Sequence, residues 1–130
     1  MEDSAFSEAF LSFIHTAISS VSAAEVLLLV HRYPERWWTP VEVRAALPAD
    51  VNITESGIAA CLDGLRPHGV LEFDAEKRAR YRAASDEHDA HVRTLAQAYN
   101  ERPVTLIRMI YALRDPRIQS FADAFKIRKT

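Results

Sequence analysis

The chain has 130 residues, 48% of them hydrophobic and 26% charged, with a formal net charge of -2. This composition is typical of one soluble globular domain, 1–130, and argues against both a mainly disordered chain and a generic polyanion binder. A single cysteine, Cys61, excludes an internal disulfide and predicts a small core residue in a reducing compartment.

The first 20 residues carry three acidic side chains and no Lys or Arg. A helix is predicted near residues 4–18, because apolar residues recur there at helical spacing. Its aromatic stripe consists of Phe6, Phe10, Phe13, Ile14 and Ala17. This start lacks the basic residues of a secretory signal, and the longest apolar run, Val26 to Val30, is far too short to span a bilayer. We therefore expect a cytoplasmic protein.

Two capping patterns follow. Ser22 with Glu25 three residues later predicts a capping box for a buried central helix, "VLLLVHRY", that ends before Pro34. The stretch "TPVE" at 39–42 predicts the same device for a short helix that ends near Leu47.

A third helix is predicted after the turn at 48–52, with Thr54 as its N-cap. Its inward residues are Ile58, Cys61, Leu62 and Leu65, and Pro67 and Gly69 end it. "VLEFD" at 70–74 then alternates as a strand, and "EKRARYRAA" at 76–84 is its hairpin partner. In the second strand Arg78, Arg80 and Arg82 share one face, while Ala79, Tyr81 and Ala83 share the other.

The C-terminal extension, 85–130, is predicted to be helical. A helix follows Ser85 with Val92, Leu95, Ala96 and Tyr99 on one face. Pro103 separates it from "VTLIRMIYAL", and Pro116 begins a last helix. The apolar residues of that last helix are Ile118, Phe121, Ala122 and Phe125, and its basic residues are Arg117, Lys126, Arg128 and Lys129.

Residues 22–84 resemble a bacterial winged helix-turn-helix domain of the MarR-like type. The resemblance is carried by "WTPVEVRAAL" as the first helix of the motif, "TESGIAACLDGLRPHGVLEF" as the recognition helix and first wing strand, and "FDAEKRARYR" as the wing. It implies a mainly α protein with a small β-hairpin wing, whose recognition helix enters the DNA major groove while the wing contacts phosphates. The C-terminal segment is similar to that of small uncharacterised bacterial winged-helix proteins.

This resemblance implies a transcription regulator that binds double-stranded DNA. The outer face of the recognition helix offers Ser56 and Arg66 to bases or phosphates, but also Glu55 and Asp63, which oppose a polyanion. We therefore expect most of the affinity to come from the wing. Its candidate DNA contacts are Lys77, Arg78, Arg80 and Arg82.

A homodimer is predicted because the terminal helices carry aromatic faces that need cover. The candidate interface residues are Phe6, Phe10, Phe13, Phe121 and Phe125. The alternative function is an adaptor that uses the same scaffold to bind another protein and no DNA. For the wing cations, the competing interpretation is a charged hairpin edge that blocks strand pairing.

No enzyme or cofactor motif is present: the sequence lacks a Gly-rich phosphate loop, a nucleophile motif and Cys/His metal spacing. His88 and His91, beside acidic residues, can hold a metal only as a remote alternative to an exposed acidic first turn. Of the two tryptophans, one is expected to close the core and the other to lie at its edge. The sharper interpretation places Trp37 in an effector pocket or subunit contact.

Overall fold

The computed structural model describes residues 6–114, which form a mainly helical protein with one small antiparallel hairpin, as predicted. The helices are α1 (Glu8–Ala17), α2 (Val21–Arg32), α3 (Pro40–Ala46), α4 (Glu55–Leu65), α5 (Asp86–Glu101) and α6 (Pro103–Arg114). The strands are β1 (Leu71–Phe73) and β2 (Ala79–Tyr81). The helix predicted from Pro116, with Phe121 and Phe125, lies outside the described residues.

Helix α2 begins two residues earlier than predicted. Ser20, not Ser22, is the N-cap, and its hydroxyl accepts from the Ala23 N–H at 3.1 Å. Glu25 is therefore not the reciprocal partner of a capping box. Its carboxylate instead accepts from the hydroxyl of Tyr99 on α5. Burial raises the pKa of Glu25, and the nearby charge of Asp50 adds to the effect.

Helices α3 and α4 begin as the sequence predicts. Thr39 Oγ1 accepts from the Glu42 N–H at 3.2 Å while Glu42 Oε1 accepts from the Thr39 N–H at 3.0 Å, so the capping box is complete. Thr54 Oγ1 accepts from the Gly57 N–H at 3.0 Å. Because each cap satisfies backbone donors that the helix itself leaves unpaired, both starts are fixed locally.

The core is built around α2, which packs against α3, α4, α5, α6 and β2. Its apolar residues on nearly every side are buried, from Ala23 to Val30. The inward residues predicted for α4, Ile58, Leu62 and Leu65, are buried, while Cys61 is partly buried. In α5 the buried residues are Val92, Leu95 and Ala98, with Ala96 and Tyr99 packed at the core edge.

The aromatic stripe of α1 is covered by the chain itself. Phe10 and Phe13 are 2% and 8% exposed, and Phe6 packs against Phe10 with ring centroids 5.2 Å apart. Helix α1 lies against α5 and α6, which supply the cover. The assignment of Phe10 and Phe13 to a dimer interface is therefore wrong, because their apolar surface is already removed from water within one chain.

The two tryptophans divide as predicted. Trp38 is 1% exposed. Its backbone pairs with that of Ala79 through hydrogen bonds of 2.8 and 2.9 Å, which forms an antiparallel bridge along the edge of β2 opposite to β1. Trp37 is partly exposed at the edge, where the guanidinium of Arg80 lies 4.4 Å from its ring centroid. The chain between α2 and α3 is thereby tied to the hairpin.

Within the described residues, no single helix is long and apolar enough to cross a membrane. Helices α1 and α2 meet that test only as a pair, and they are bent by 104° relative to each other. The apolar residues of both helices belong to the core cluster of the chain.

Candidate nucleic-acid interface

The hairpin has two chemically different faces. Its register pairs Leu71 with Tyr81, Glu72 with Arg80, and Phe73 with Ala79. Since side chains alternate along a strand, the first and third pairs face the core and the second faces outward. The side chains of Arg78, Arg80 and Arg82 share this outer side, as the sequence predicts, and we call them the arginine face.

Carboxylates of the same hairpin compensate the arginine face. Glu72 Oε1 lies 2.9 Å from Arg80 Nη2 and 3.6 Å from Arg82 Nη1. Arg78 contacts Asp74 Oδ2 at 2.7 Å through Nε and Glu76 Oε1 at 3.0 Å through Nη2. All three arginines are therefore in ion pairs before any ligand binds.

The ion pairs and hydrogen bonds of Glu72 and Asp74 lower the pKa values of both carboxyl groups. The Arg80 hydrogen bond holds the pKa of Glu72 below its usual value. For Asp74, desolvation raises the pKa, but the hydrogen bonds from Arg78 outweigh it and the pKa is lowered. Both carboxylates therefore stay ionised at neutral pH and keep the arginines compensated.

The turn of the hairpin exposes Lys77. Asp74 Oδ1 accepts from the backbone N–H groups of Glu76 and Arg78 at 3.0 and 2.8 Å, and Lys77 N–H donates to the Asp74 carbonyl at 3.0 Å. Lys77 has φ 66°, a left-handed conformation that favours glycine. Within residues 6–114, it is the hairpin cation that makes no ion pair, and its side chain is exposed at the tip.

The outer face of α4 is open to solvent. Its exposed polar and charged residues are Glu55, Ser56 and Asp63, and Arg66, the C-cap of the helix, is also exposed. Glu55 lies 3.9 Å from Arg44 on α3, and the Ser56 hydroxyl lies 3.3 Å from that of Thr54. Two carboxylates and one guanidinium thus remain on this face, as the sequence indicated.

Arg66 and the arginine face are on different sides of the hairpin. The Arg66 guanidinium stacks over the Phe73 ring, 4.7 Å from its centroid. Phe73 belongs to the core-facing side of β1, whereas Glu72 and Arg80 point the other way. The structure therefore brings Arg66 next to the hairpin but does not merge it with the arginine face into one cationic surface.

A polar contact that the sequence did not reveal fastens the hairpin to α5. The Tyr81 hydroxyl donates to Asp89 Oδ1 at 2.6 Å, and Arg93 Nε lies 3.0 Å from Asp89 Oδ2. The His31 ring of α2 meets the Tyr81 ring edge-on, with centroids 4.8 Å apart. Tyr81 and Asp89 are eight residues apart and lie on different elements, and His31 is 50 residues before Tyr81, so helix or strand periodicity alone does not show these contacts.

Tyr81→Phe is expected to lower the free energy of unfolding by about 1 to 2 kcal/mol, because a partly buried, charge-assisted hydrogen bond is lost. Burial and the Asp89 hydrogen bond raise the pKa of Tyr81. This contribution is therefore present below the ordinary tyrosine pKa of about 10 and is lost as the pH rises above it. Urea unfolding at pH 7 and above pH 10 measures both effects. Tyr33→Phe, at an exposed tyrosine, is the control and should change little.

His88 and His91 make separate contacts in the structure. His88 Nδ1 is engaged with Ser85 Oγ at 2.6 Å, and the His91 ring stacks on Phe13 with centroids 5.3 Å apart. Glu87 Oε2 lies 3.8 Å from His91 Nε2. Among residues 6–114, no three His, Cys, Asp or Glu side chains are grouped so that they could hold a metal ion.

No family model, curated protein or solved structure matched the chain in the comparisons. The class that the fold defines is a mainly helical protein with a small antiparallel hairpin. The surfaces that bear on function are the hairpin tip at Lys77, the arginine face and the exposed face of α4.

Proposed function

We propose that the chain is a winged helix-turn-helix regulator that binds double-stranded DNA. The observation that carries the proposal is the arrangement of α2, α3 and α4 followed directly by a hairpin, with the outer face of α4 and the hairpin tip both open to solvent. In this class the second helix of the motif enters the major groove and the hairpin lies on the flanking backbone.

Lys77 is the principal phosphate contact in this proposal. It is exposed and unpaired within the described residues, and it occupies a backbone conformation that costs a non-glycine residue about 1 to 2 kcal/mol. A lysine kept at such a position supports a role for its side chain at the tip. Arg66 is the second contact, since its guanidinium is held at the end of α4 by the Phe73 ring.

The arginine face contributes less than its sequence suggests. The hairpin from Leu71 to Arg82 carries four cations against three carboxylates, a net charge of +1. A phosphate that approaches Arg80 must compete with Glu72, which also holds Arg82. We therefore expect modest affinity, with a salt dependence set by the few phosphates that Lys77 and Arg66 neutralise, and Ser56 contributes at most one neutral hydrogen bond.

The second candidate function is a protein-interaction adaptor. The ion pairs of the arginine face favour it, since a surface whose charges are internally compensated has little net attraction for a polyanion. Glu55 and Asp63 on α4 act in the same direction. The adaptor would use the same scaffold without DNA, because fold alone does not fix function.

Charge variants of the hairpin separate the two functions. In a mobility-shift assay with mixed-sequence duplex DNA at about 0.1 M salt, Lys77→Ala is expected to weaken binding about five- to tenfold, the effect of one lost phosphate contact. Glu72→Gln is expected to strengthen binding, because Arg80 and Arg82 lose the carboxylate that they share. Arg78→Ala, Arg80→Ala and Arg82→Ala combined in one chain should weaken DNA binding relative to the wild type.

Lys77→Arg, which keeps the charge, and Arg102→Ala, which removes an exposed cation at the C-terminal end of α5, are the matched controls and should bind like the wild type. If the loss of any surface cation weakened binding, Arg102→Ala would be as harmful as Lys77→Ala, and the tip would have no special role. If the wild type and Glu72→Gln both leave DNA unshifted at low salt, the DNA-binding proposal is wrong and the adaptor stands.

A further inference from the structure

The backbone at the end of β2 points in two directions. The Arg82 N–H donates to the Val70 carbonyl at 3.0 Å, and the Ala84 N–H also donates to the β1 side of the hairpin, at 2.8 Å. Backbone groups alternate between the two edges of an extended strand. The N–H groups of Tyr81 and Ala83 therefore point away from β1, toward the outer edge of β2.

This outer edge is covered only at its start. Trp38 pairs with β2 at Ala79. The residues before Trp38 then leave the strand in a turn, which is closed by the bond from the Arg36 N–H to the Tyr33 carbonyl at 3.1 Å. Among the described residues, no other backbone group pairs with the outer edge of β2. A groove of about 550 Å³ lies between this turn and the end of the hairpin.

The groove carries an excess of negative charge. Glu72 and Asp89 are already held by arginines. Glu35 and Asp86 are exposed and make no ion pair in the part of the chain that the structure describes. A phosphate is therefore repelled, whereas a lysine or arginine side chain finds an unpaired carboxylate. The lining has a net charge of -2, from Glu35, Glu72, Asp86 and Asp89 against Arg80 and Arg82.

We infer that this groove binds an extended, basic peptide segment of another protein, which adds to the hairpin as a further strand. Strand addition gains main-chain hydrogen bonds at an open sheet edge, while pockets for side chains supply specificity. Here Tyr81 and Ala83 offer the main-chain groups, and the carboxylates of Glu35 and Asp86 select a lysine or arginine. The inference does not rest on DNA binding.

A second copy of this chain fits the edge less well. Pairing of two β2 strands edge to edge would bring Arg80 and Arg82 of one chain close to the same arginines of the other. Like charges on neighbouring strands are destabilising, and charged edge residues are a common means of preventing such pairing. The acidic lining and the arginines together therefore favour a different protein as the occupant.

Fluorescence anisotropy with capped, labelled hexapeptides tests the inference. The full chain is titrated from about 1 µM to 1 mM into a peptide of alternating valine and lysine, which should bind with a dissociation constant of about 10 to 300 µM. A peptide with glutamate in place of lysine tests charge, and a lysine peptide with every backbone N–H methylated tests strand pairing. Both should bind about tenfold more weakly or not at all. No binding of the lysine peptide overturns the inference, and so does equal binding of either control peptide.

Variants and amide exchange locate the site. Glu35→Gln, in an exposed turn, should weaken the lysine peptide about two- to fivefold, the effect of one exposed ion pair. Asp63→Asn removes an exposed carboxylate on α4 and should bind like the wild type. Amide exchange measured by NMR should be fast at Tyr81 and Ala83 in the free chain and slower with the peptide bound.

Three results would overturn the inference at this stage. Asp63→Asn could weaken the peptide as much as Glu35→Gln, which would show attraction to the whole surface. The peptide could bind without slowing exchange at Tyr81 and Ala83, which would place it elsewhere. Slow exchange at both amides before peptide is added would leave residues 115–130 or a second copy as the occupant of the edge.

Discussion

Trp38→Ala is expected to lower the free energy of unfolding by about 3 to 5 kcal/mol, a large part of the 5 to 15 kcal/mol typical of a domain. The ring is 1% exposed, with the Tyr33 ring centroid at 6.2 Å and the Arg36 guanidinium at 3.8 Å. Its removal leaves a cavity at the point where the α2–α3 connection meets the hairpin. Urea denaturation followed by circular dichroism measures the change.

The adjacent tryptophan is the matched control. Trp37 is partly exposed and contacts Arg80 and Arg78, so Trp37→Ala should cost only about 1 kcal/mol. Trp38→Phe separates the ring from its polar atom. Within the described residues the Trp38 indole N–H is buried and has no acceptor, so phenylalanine should cost less than alanine. Equal costs for Trp37→Ala and Trp38→Ala would contradict the assignment of Trp38 to the core.

Gly69→Ala is expected to lower the free energy of unfolding by about 2 to 4 kcal/mol, from backbone strain and steric overlap together. Gly69 has φ 73°, and a β-carbon there would lie 3.0 Å from His88 Nε2 and 3.1 Å from the Ala84 β-carbon. The Gly69 carbonyl also accepts from the Ala84 N–H at 2.8 Å, so the backbone cannot easily shift. Thermal and urea unfolding both measure the loss.

Gly64→Ala is expected to change the free energy of unfolding in the opposite direction. Gly64 lies in α4, and a β-carbon there would meet nothing within 4 Å. Alanine is the better helix former, so this substitution should stabilise the protein by about 0.5 kcal/mol. If Gly69→Ala were as harmless as Gly64→Ala, the left-handed turn after α4 would not be required for the hairpin to reach its place.

Local signals in the sequence predicted the elements of the fold well. Thr39 and Thr54 cap helices where the pattern places them, because a cap depends on residues three positions apart. The prediction of Ser22 as the N-cap of α2 was wrong. Ser20 and Ser22 are both suitable caps, and the choice between them depends on tertiary contacts. Glu25, which suggested Ser22, is taken by Tyr99, 74 residues away.

The candidate site was less predictable, because charge compensation depends on register. Alternation alone places Arg78, Arg80 and Arg82 on one side of the strand. That Glu72 lies opposite Arg80 follows only once the turn is known to place β1 and β2 in this register. The stacking of Arg66 on Phe73 joins two elements whose relative position no spacing encodes. The aromatic stripe of α1 led to a wrong prediction of a dimer interface for the same reason. A sequence shows that an apolar face must be buried, but not which surface packs against it.

Asp74 fixes the hairpin turn, because its side chain accepts from the backbone N–H groups of Glu76 and Arg78 and its carbonyl accepts from that of Lys77. This has a thermodynamic consequence for binding at the tip. The turn loses its conformational freedom when the chain folds rather than when a ligand arrives. Binding of a ligand at Lys77 therefore carries a smaller entropic penalty than binding at a flexible loop of the same length. A preorganised tip of this kind favours binding of either candidate partner, DNA or protein, because the tip does not have to be ordered first.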